Sequence, residues 1–321
     1  MSVLIFVELE NGQVKKSSLE AIAYGAEVAK MTGTTATVLA LGKADSSSLE
    51  QTGVVGASKV LHASDEKLTH ENSLAYADVL TQAAEKENSK IIILSKSGLG
   101  DAMAARASAK LKAGIVSGVT ELPVINEHFI VTRSIYTGKA FSSVEIKSDI
   151  KILVVKKNII EITETGSTAT VETFTPTLRD SDFQASVVNV EKASSELSLT
   201  EADIIVSGGR GMKGPENWQP LVDLAKALGA ATGCSKPVSD LDWRPHHEHI
   251  GQTGIKVTPN LYIACGISGA IQHLAGVNGS KYIVVINKDP EAPFFKAADY
   301  GIVGDVFEIL PKLTKAIEDL K

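Results

Sequence analysis

The first half of the chain alternates short apolar runs with amphipathic stretches whose apolar residues recur at helical spacing. A short apolar run bounded by turn residues is typical of a buried strand, and the longer periodic stretches are typical of helices. Strands that alternate with helices predict an α/β layer on a mostly parallel sheet. The predicted strands are Val3–Val7, Thr35–Ala40 and Ile91–Leu94, and the predicted helices are Ser18–Lys30, Ser73–Glu85 and Ala102–Leu111.

The pattern changes near residue 129, where helical spacing gives way to three strand-like runs. Phe129–Tyr136 and Ala140–Val144 are joined by a short turn that contains Gly138, and Ile152–Val155 follows. We expect all three to be antiparallel strands added to the sheet.

The stretch between residues 159 and 199 is rich in Thr and Ser and has few sustained apolar periods. It predicts a domain boundary near residue 190, with an N-terminal domain over 1–190 and a C-terminal domain over 191–321. The β-prone run Ala169–Phe174 predicts one more strand inside this stretch.

A second α/β pattern begins at Asp203 and predicts a doubly wound domain. Its expected strands are Ile204–Val206, Leu261–Cys265, Tyr282–Ile286 and Ile302–Val303. Pro215 suits the first position of a helix that carries Leu221, Leu224, Ala225 and Leu228 on one face and ends at Gly229. Asp305 is expected to cap a last helix, Val306–Leu320, and Pro311 should kink that helix.

Polar residues follow the predicted strands directly: Ser207, Ser268, Asn287 and Asp305. The carboxyl ends of parallel strands meet at one edge, where open α/β sheets bind ligands. Gly266 and Gly269 flank Ser268, so we expect a tight turn with Ser268 as the N-cap of the next helix. Gln272 and His273 would then lie near the start of that helix. Such a turn favours an anionic ligand.

Composition limits the class of protein. The chain has 321 residues, of which 44% are hydrophobic, 22% charged and 5% aromatic, and these values favour two aliphatic cores. A net charge of -6, with no cluster of Lys and Arg, argues against a nucleic-acid partner. The N-terminal MSVLIFVELE is typical of a strand rather than of a signal peptide, and no apolar run approaches spanning length. The two cysteines are far apart, which fits a reducing cytoplasm.

The segment Gly209–Gly214 has the G-x-G-x-x-G spacing after a predicted strand. Its backbone N–H groups would cradle a pyrophosphate, and Arg210 would add a phosphate contact. This favours one function, a nicotinamide-dependent dehydrogenase, whose fingerprint also needs an acid roughly twenty residues further on. Asp240 lies later than that. An ordinary glycine-rich turn explains the motif equally well.

Several polar residues remain ambiguous. His246, His247 and His249 are of a residue type that often binds metal ions. They have no further ligand at a suitable spacing, so a metal site there is not favoured. Ser235-Lys236 is either a surface pair or a hydroxyl and a cation beside an electron-rich ring. Thr253 donates to a ligand or closes its turn, and His273 is either a core histidine or a functional one.

Four ordered segments resemble the electron-transfer flavoprotein alpha subunit. They are GGRGMKG, SKPVSD, GQTGIKVTPNLYIACGISGAIQHLAG and VVINKDPEAPFFKAADYGIVGD. The resemblance is close over about residues 204 to 311. It is looser in the N-terminal half, where RSIYTGKAF and DAMAARASAKL carry it.

The resemblance implies that the C-terminal domain binds FAD. Thr253 falls near the flavin N5, His273 near the pyrimidine edge and Arg210 near the phosphates. Lys236 stands where the family usually has arginine, which keeps the charge and loses the planar fork. The cofactor-binding residues that the resemblance implies are Arg210, Ser235, Lys236, Ile250, Gly251, Gln252, Thr253, Ser268, Gly269, Ala270, Ile271, Gln272, His273, Asn287, Asp305 and Val306.

The resemblance also implies a heterodimer, in which the N-terminal domain contacts a beta subunit that binds AMP. Electrons would pass from acyl-CoA or other dehydrogenases, as in fatty acid beta-oxidation, to a membrane quinone oxidoreductase. The chain would then be an electron carrier without substrate turnover of its own. A third hypothesis is a signalling or nucleotide-sensing module built on the N-terminal domain alone, although that domain has no phosphate motif.

Overall fold

The computed structural model describes residues 2–138, 140–164, 166–184, 187, 199–200 and 202–320. The chain divides into two units, Met1–Val190 and Glu191–Lys321. The predicted boundary near residue 190 lies outside the described residues and stays a prediction.

A ten-stranded sheet forms the centre of the N-terminal unit. Its middle strands are buried on both faces and read as almost continuous apolar runs, as expected for a parallel sheet covered by helices. The strands of this unit are β1 (Ser2–Val7), β2 (Leu9–Glu10), β3 (Gln13–Val14), β4 (Thr35–Leu41), β5 (Lys59–Ala63), β6 (Ile91–Ser95), β7 (Gly114–Val119), β8 (Val124–Ile125), β9 (Phe129–Ile135), β10 (Ala140–Glu145), β11 (Lys151–Val155) and β12 (Thr170–Thr173).

In the described part of the N-terminal unit the α-helices are α1 (Lys16–Met31), α2 (Ser46–Glu50), α3 (Ser73–Glu87) and α4 (Gly98–Leu111). Two of the helices begin at side-chain caps that satisfy backbone N–H groups. Asn72 accepts from Leu74 N at the start of α3, and Ser97 accepts from Gly100 N at the start of α4. Apolar side chains on each face of the sheet form a separate core.

The strand order is β10-β9-β7-β11-β6-β1-β4-β5-β12, and β8 pairs with β9. The predicted alternation of strands and helices is confirmed, as is the strand within Ala169–Phe174, which appears as β12 beside β5. The two strands β9 and β10 are antiparallel, as predicted. The prediction for Ile152–Val155 is wrong, because β11 lies parallel between β6 and β7 near the middle of the sheet.

The C-terminal unit is a five-stranded parallel sheet with apolar cores on both faces, which confirms the doubly wound fold class. Its strands are β13 (Ile204–Gly208), β14 (Ala231–Cys234), β15 (Leu261–Cys265), β16 (Tyr282–Asn287) and β17 (Tyr300–Val303), in the order β14-β13-β15-β16-β17. Its helices are α5 (Gln219–Leu228), α6 (Lys236–Asp240), α7 (Ile271–Val277) and α8 (Val306–Glu318).

Two helix predictions in this unit have different outcomes. Asp305 caps α8 by accepting a hydrogen bond from Phe307 N at 3.0 Å, as predicted. Pro215 does not begin α5. It opens a short 3-10 turn, and α5 starts at Gln219 with Pro220 in its first turn.

Both cysteines are buried in this unit, one on each strand that flanks β13. Burial raises the pKa of Cys234 and of Cys265 to about 12. Within the described part of the chain, no helix is both long enough and apolar enough to cross a membrane.

Candidate functional site

The carboxyl ends of the five C-terminal strands lie at one edge of the sheet, because all of the strands are parallel. After β13 the chain first adds β14 on one side and then β15 on the other. In doubly wound folds the ligand-binding crevice lies at such a reversal, which here is at the carboxyl ends of β13 and β15. The loops that leave these two strands carry the glycines singled out in the sequence.

The two loops at the crevice are bonded to each other through their backbones. Gly209 N donates to Cys265 O at 2.9 Å, and Gly211 N donates to Gly266 O at 3.0 Å. A Cβ on Gly211 would lie 2.6 Å from the Gly266 Cα, so the close approach requires glycine. Because these N–H groups already have acceptors inside the protein, they are not a free cradle for a pyrophosphate.

The residues after Gly211 also differ from a dinucleotide-binding turn. Arg210–Met212 forms a 3-10 turn, a second 3-10 turn follows at Pro215–Asn217, and only then does α5 begin. The glycine run therefore does not open directly into a helix, as the nicotinamide fingerprint requires. Arg210 itself is exposed at the edge of the crevice loop.

Ser235 and Lys236 lie at the carboxyl end of β14. Ser235 is buried, and its N–H donates to Gly208 O at 3.0 Å, which ties this loop to the end of β13. The Lys236 side chain is 58% exposed, and its Nζ lies 3.7 Å from Oδ2 of Asp240 one turn along the short helix α6. The cation is therefore open to solvent at the end of β14.

A turn at Ile250–Thr253 is held against the start of α7. Gln252 N donates to Gln272 O at 2.7 Å, and Val257 N donates to Gly276 O at 2.8 Å. Ile250 is buried in the core, whereas Gln252 and Thr253 are exposed. The structure therefore brings the backbone of Gln252 against that of Gln272, the residue before His273.

Glycine permits the contact between this turn and α7. A Cβ on Gly276 would lie 2.6 Å from the Gly251 Cα, and one on Gly251 would lie 3.2 Å from Gln272 O. Any side chain at Gly276 would push backbone against backbone. The spacing of the turn from the helix thus depends on a glycine that the sequence analysis did not single out.

Ser268 does not cap α7, contrary to expectation. The helix begins at Ile271, with Ala270 at the N-cap and no side-chain cap. Gly269 has a φ of 83° and packs against Phe294, while the exposed Ser268 uses its carbonyl to accept Phe294 N at 3.1 Å. The turn needs this left-handed residue between Ser268 and the helix, so Ser268 lies too far from the first helical N–H groups.

His273 is buried near the start of α7, beneath the Gln252 turn. Its Nε2 lies 2.8 Å from the hydroxyl of Tyr262 on β15. Its Nδ1 makes no hydrogen bond with any described residue. Burial lowers the pKa of His273 to about 4, an effect that nearby His249 adds to and the Ile250 backbone opposes. The imidazole is therefore neutral at physiological pH.

His249 is a second buried imidazole at this turn, which the sequence analysis weighed only as a metal ligand. A Cβ on Gly254 would lie 2.7 Å from its Nδ1, and one on Gly251 would lie 3.3 Å from its Nε2. The ring thus fills the space that the glycines leave. Burial, then the charges of His246 and Lys236, lower the pKa of His249. Within the described ranges no three His, Cys, Asp or Glu side chains are grouped to hold a metal.

The segment before His249 is fixed by a buried ion pair. Arg244 Nε lies 2.8 Å from Oε2 of Glu248, and a second guanidinium nitrogen contacts the other carboxylate oxygen. The Arg244 guanidinium also lies over the Trp218 ring at 5.8 Å from its centroid. The pair connects the 3-10 turn at His246–Glu248 to the loop that follows β13.

The remaining predicted residues are bonded within the protein. Asn287 Nδ2 donates to Ile267 O at 3.0 Å, which joins the loops after β15 and β16. Asp305 caps α8 and its Oδ2 lies 3.7 Å from Lys213 Nζ, while Val306 is buried in the core. Capping by Phe307 N, together with the lysine, lowers the pKa of Asp305. These residues hold the edge of the site in shape.

Comparison with known proteins identifies the family. Residues 3–178 match the electron transfer flavoprotein domain, and residues 198–278 match the electron transfer flavoprotein FAD-binding domain. The electron transfer flavoprotein subunit alpha of Bacillus subtilis is 40% identical over 320 residues, which cover 99% of this chain and 98% of that one. The subunit alpha of Syntrophomonas wolfei is 34% identical over 315 residues, covering 98% of each chain.

A eukaryotic relative shows the same extent of similarity. The probable mitochondrial electron transfer flavoprotein subunit alpha of Caenorhabditis elegans is 36% identical over 317 residues, covering 98% of this chain and 93% of that one. The similarity to these relatives therefore extends over both units. This chain belongs to the electron transfer flavoprotein alpha subunit family.

Proposed function

We propose that the C-terminal unit binds FAD noncovalently and that the chain works as one half of a heterodimer with an electron transfer flavoprotein beta subunit. Its electrons would come from acyl-CoA or other dehydrogenases, as in fatty acid beta-oxidation, and would pass to a membrane quinone oxidoreductase. Members of this family are electron carriers rather than catalysts. A bound flavin supplies the redox chemistry, and the protein supplies binding, orientation and electrostatics.

The observation that carries this proposal is the contact between the exposed Gln252-Thr253 turn and the start of α7. It brings the exposed residues Gln252 and Thr253 to the start of α7, where the buried Nδ1 of His273 makes no hydrogen bond with any described residue, at the edge where open parallel sheets bind ligands. An isoalloxazine ring presents several hydrogen-bonding atoms along one edge. These side chains therefore fit a flavin, and Thr253 and His273 are proposed to bond its N5 and its pyrimidine edge.

The phosphate end of the site is proposed to rely on side-chain charge more than on the glycine loop. Gly209 and Gly211 use their N–H groups within the protein, so the exposed Arg210 is proposed as the phosphate partner on this loop, where Lys213 already pairs with Asp305. The turn Ser268–Ile271 is proposed to contact the pyrophosphate. Ser235, Lys236 and Asn287 would complete the cofactor site, with Asp305 and Val306 supporting its adenosine end.

The beta subunit is proposed to contact the N-terminal unit at the antiparallel strands β9 and β10. Tyr136, between these strands, is 77% exposed, and Phe141 on β10 is 63% exposed. Large exposed aromatic residues in one region are typical of an interaction surface. AMP is expected in the beta subunit and not in this chain.

The proposal is tested with a glycine variant of the turn and a matched control. Gly276→Ala places a methyl group against the Gly251 backbone, whereas Gly98→Ala in α4 has no atom within 4 Å of the new methyl group. Each variant is co-expressed with the beta subunit, and flavin per heterodimer is counted from the absorbance spectrum.

We expect about one FAD in the wild type and in Gly98→Ala, and at least tenfold weaker FAD binding in Gly276→Ala with unchanged circular dichroism. A Gly276→Ala complex that holds FAD as tightly as the wild type would place the cofactor elsewhere. A wild-type complex without flavin would refute the proposal. A colourless complex that binds NAD would instead favour the nicotinamide-dependent dehydrogenase, against which the bonded N–H groups of Gly209 and Gly211 argue.

A further inference from the structure

Tyr262 and His273 form a buried polar pair in the otherwise apolar core under the Gln252 turn. The Tyr262 hydroxyl lies 2.8 Å from Nε2 of His273, and both side chains are buried. Phe294 packs on both, with its ring centroid 6.4 Å from that of Tyr262 and 5.8 Å from that of His273. The three rings hold one another in place, so the hydrogen bond has a fixed direction.

Both partners of this bond are neutral near pH 7. Burial raises the pKa of Tyr262 well above its usual range, and burial lowers the pKa of His273 to about 4. The phenol therefore keeps its hydrogen, and the imidazole carries a single N–H. A neutral imidazole has one donor nitrogen and one acceptor nitrogen, and the bond made at one nitrogen decides the role of the other.

The phenol hydrogen needs an acceptor, because a buried hydroxyl donor without one bears its full desolvation penalty. The other buried hydroxyl on this side of the sheet belongs to Ser207, whose Oγ has no hydrogen-bond partner among the described residues. Nε2 of His273 is the acceptor at hydrogen-bonding distance. If Nε2 carried the hydrogen instead, the phenol hydrogen would have to turn towards Ser207 Oγ, which acts on the pKa of Tyr262 but makes no hydrogen bond of good geometry with it.

We propose that Tyr262 is a positioning residue that holds His273 in the tautomer protonated on Nδ1, so that His273 presents a hydrogen-bond donor to the flavin. This inference rests on the flavin site proposed above. It assigns a role to the unpartnered Nδ1 and to a phenol in the middle of an apolar cluster.

The tautomer matters because a flavin gains negative charge on reduction. A preorganised N–H donor aimed at developing charge stabilises it without reorganisation, whereas a lone pair in the same place repels it. The bond from Nδ1–H should therefore be stronger after reduction than before it. Tyr262 would raise the reduction potential without contacting the cofactor.

The test compares Tyr262→Phe with Tyr24→Phe in the full heterodimer. Tyr24 is also fully buried and loses one hydrogen bond, from its hydroxyl to Glu121 O at 2.9 Å, but it lies in the N-terminal unit. The tautomer is measured by two-bond ¹⁵N–¹H correlation on protein labelled at histidine, with the His273 signals assigned from His273→Asn. The flavin midpoint potential and the flavin content are measured on the same samples.

We expect the Nδ1–H tautomer of His273 in the wild type and in Tyr24→Phe, and loss of that single tautomer in Tyr262→Phe. The same variant should favour reduced over oxidised flavin about tenfold less, which lowers a two-electron midpoint potential by about 30 mV. Tyr24→Phe should leave the potential unchanged.

Three results would overturn the inference. They are an Nε2–H tautomer in the wild type, an unaltered Nδ1–H tautomer in Tyr262→Phe, and equal potentials in the two phenylalanine variants. The wild-type measurement decides the tautomer even if Tyr262→Phe fails to fold. A wild-type complex with the Nδ1–H tautomer but no flavin would refute the proposed function and leave the effect of Tyr262 on His273 intact.

Discussion

Replacing Arg244 with methionine should destabilise the C-terminal unit far more than the loss of an ordinary surface charge would. The Glu248 side chain is 3% exposed and the Arg244 side chain 24%, and they are joined by two hydrogen bonds. Methionine keeps much of the packing on Trp218 but leaves the Glu248 carboxylate buried without a counter-charge.

The expected magnitude follows from that burial. Removing one partner of a buried ion pair costs about 3–5 kcal/mol, whereas an exposed pair contributes about 0–1 kcal/mol. Because Arg244 retains some access to water, we expect a loss of about 2–4 kcal/mol. The double variant Arg244→Met/Glu248→Met removes the unpaired charge and should recover most of the loss.

Urea unfolding followed by tryptophan fluorescence measures this loss of stability in the C-terminal unit itself. The sequence has two tryptophans, Trp218 and Trp243, and both lie in the C-terminal unit. Lys236→Gln is the matched control, because Lys236 and Asp240 form a pair at the same i,i+4 spacing with both side chains more than half exposed. Two results would contradict this explanation. In the first, Arg244→Met loses no more unfolding free energy than Lys236→Gln. In the second, the double variant is as unstable as Arg244→Met, so that the unpaired Glu248 carboxylate does not cause the loss.

Five further outcomes are expected. Lys236→Gln should lower the one-electron potential of the bound flavin by on the order of 50 mV. A lysine charge about 5 Å from the flavin ring contributes roughly 3 kcal/mol at an effective dielectric near 20. Solvent and the neighbouring Asp240 reduce this contribution to about 1 kcal/mol. Lys236→Arg should hold or raise that potential in the same reductive titration, and no shift in either variant would place the cation away from the ring. Thr253→Ala should lower the flavin potential and leave circular dichroism unchanged, so an unaltered potential would show that the hydroxyl only closes its turn. Asp305→Ala should cost about 1 kcal/mol of unfolding free energy through the lost cap of α8, measured by urea unfolding, and a loss near zero would contradict the capping role. The stability contributed by neutral His273 should be complete above pH 6.5 and should be lost as the pH falls towards 4, because the unfolded chain takes up the proton first. The loss should reach up to about 3 kcal/mol. A difference in unfolding free energy between wild type and His273→Asn that stays constant over this pH range would refute this prediction.

The local patterns predicted most of the fold, and the errors come from pairings between distant residues. β11 is apolar from Ile152 to Val155, which is equally compatible with either strand direction. Its partners β6 and β7, which decide the direction, are not encoded in the run itself. The strands β5, β7 and β14 were not predicted, because Lys and His interrupt the first and glycines interrupt the other two. In each case sheet pairing overrides a weak local preference.

In the candidate site too, local signals were predictable from the sequence and contacts between distant residues were not. Glycines and hydroxyls at strand ends are local signals, and they led to the Gly251 and Gly266 turns. The contacts that orient side chains within the site were not predictable from spacing, since Tyr262 meets His273 only once a strand and a helix have packed together. The cap assigned to Ser268 failed because the left-handed Gly269 delays the helix. His249 was considered only as a metal ligand, which was not favoured, because its burial against two glycines is a property of the folded turn.

The two cysteine side chains beside β13 provide a built-in measure of how often the C-terminal sheet opens. Thiol reagents attack the thiolate, and burial that raises the pKa of both thiols to about 12 suppresses that form as well as access to it. Modification of either thiol therefore requires the sheet to open, so the rate of labelling reports the population of opened molecules. Because Cys234 and Cys265 are on the strands either side of β13 and the sequence contains no other cysteine, this rate can be followed without engineered probes.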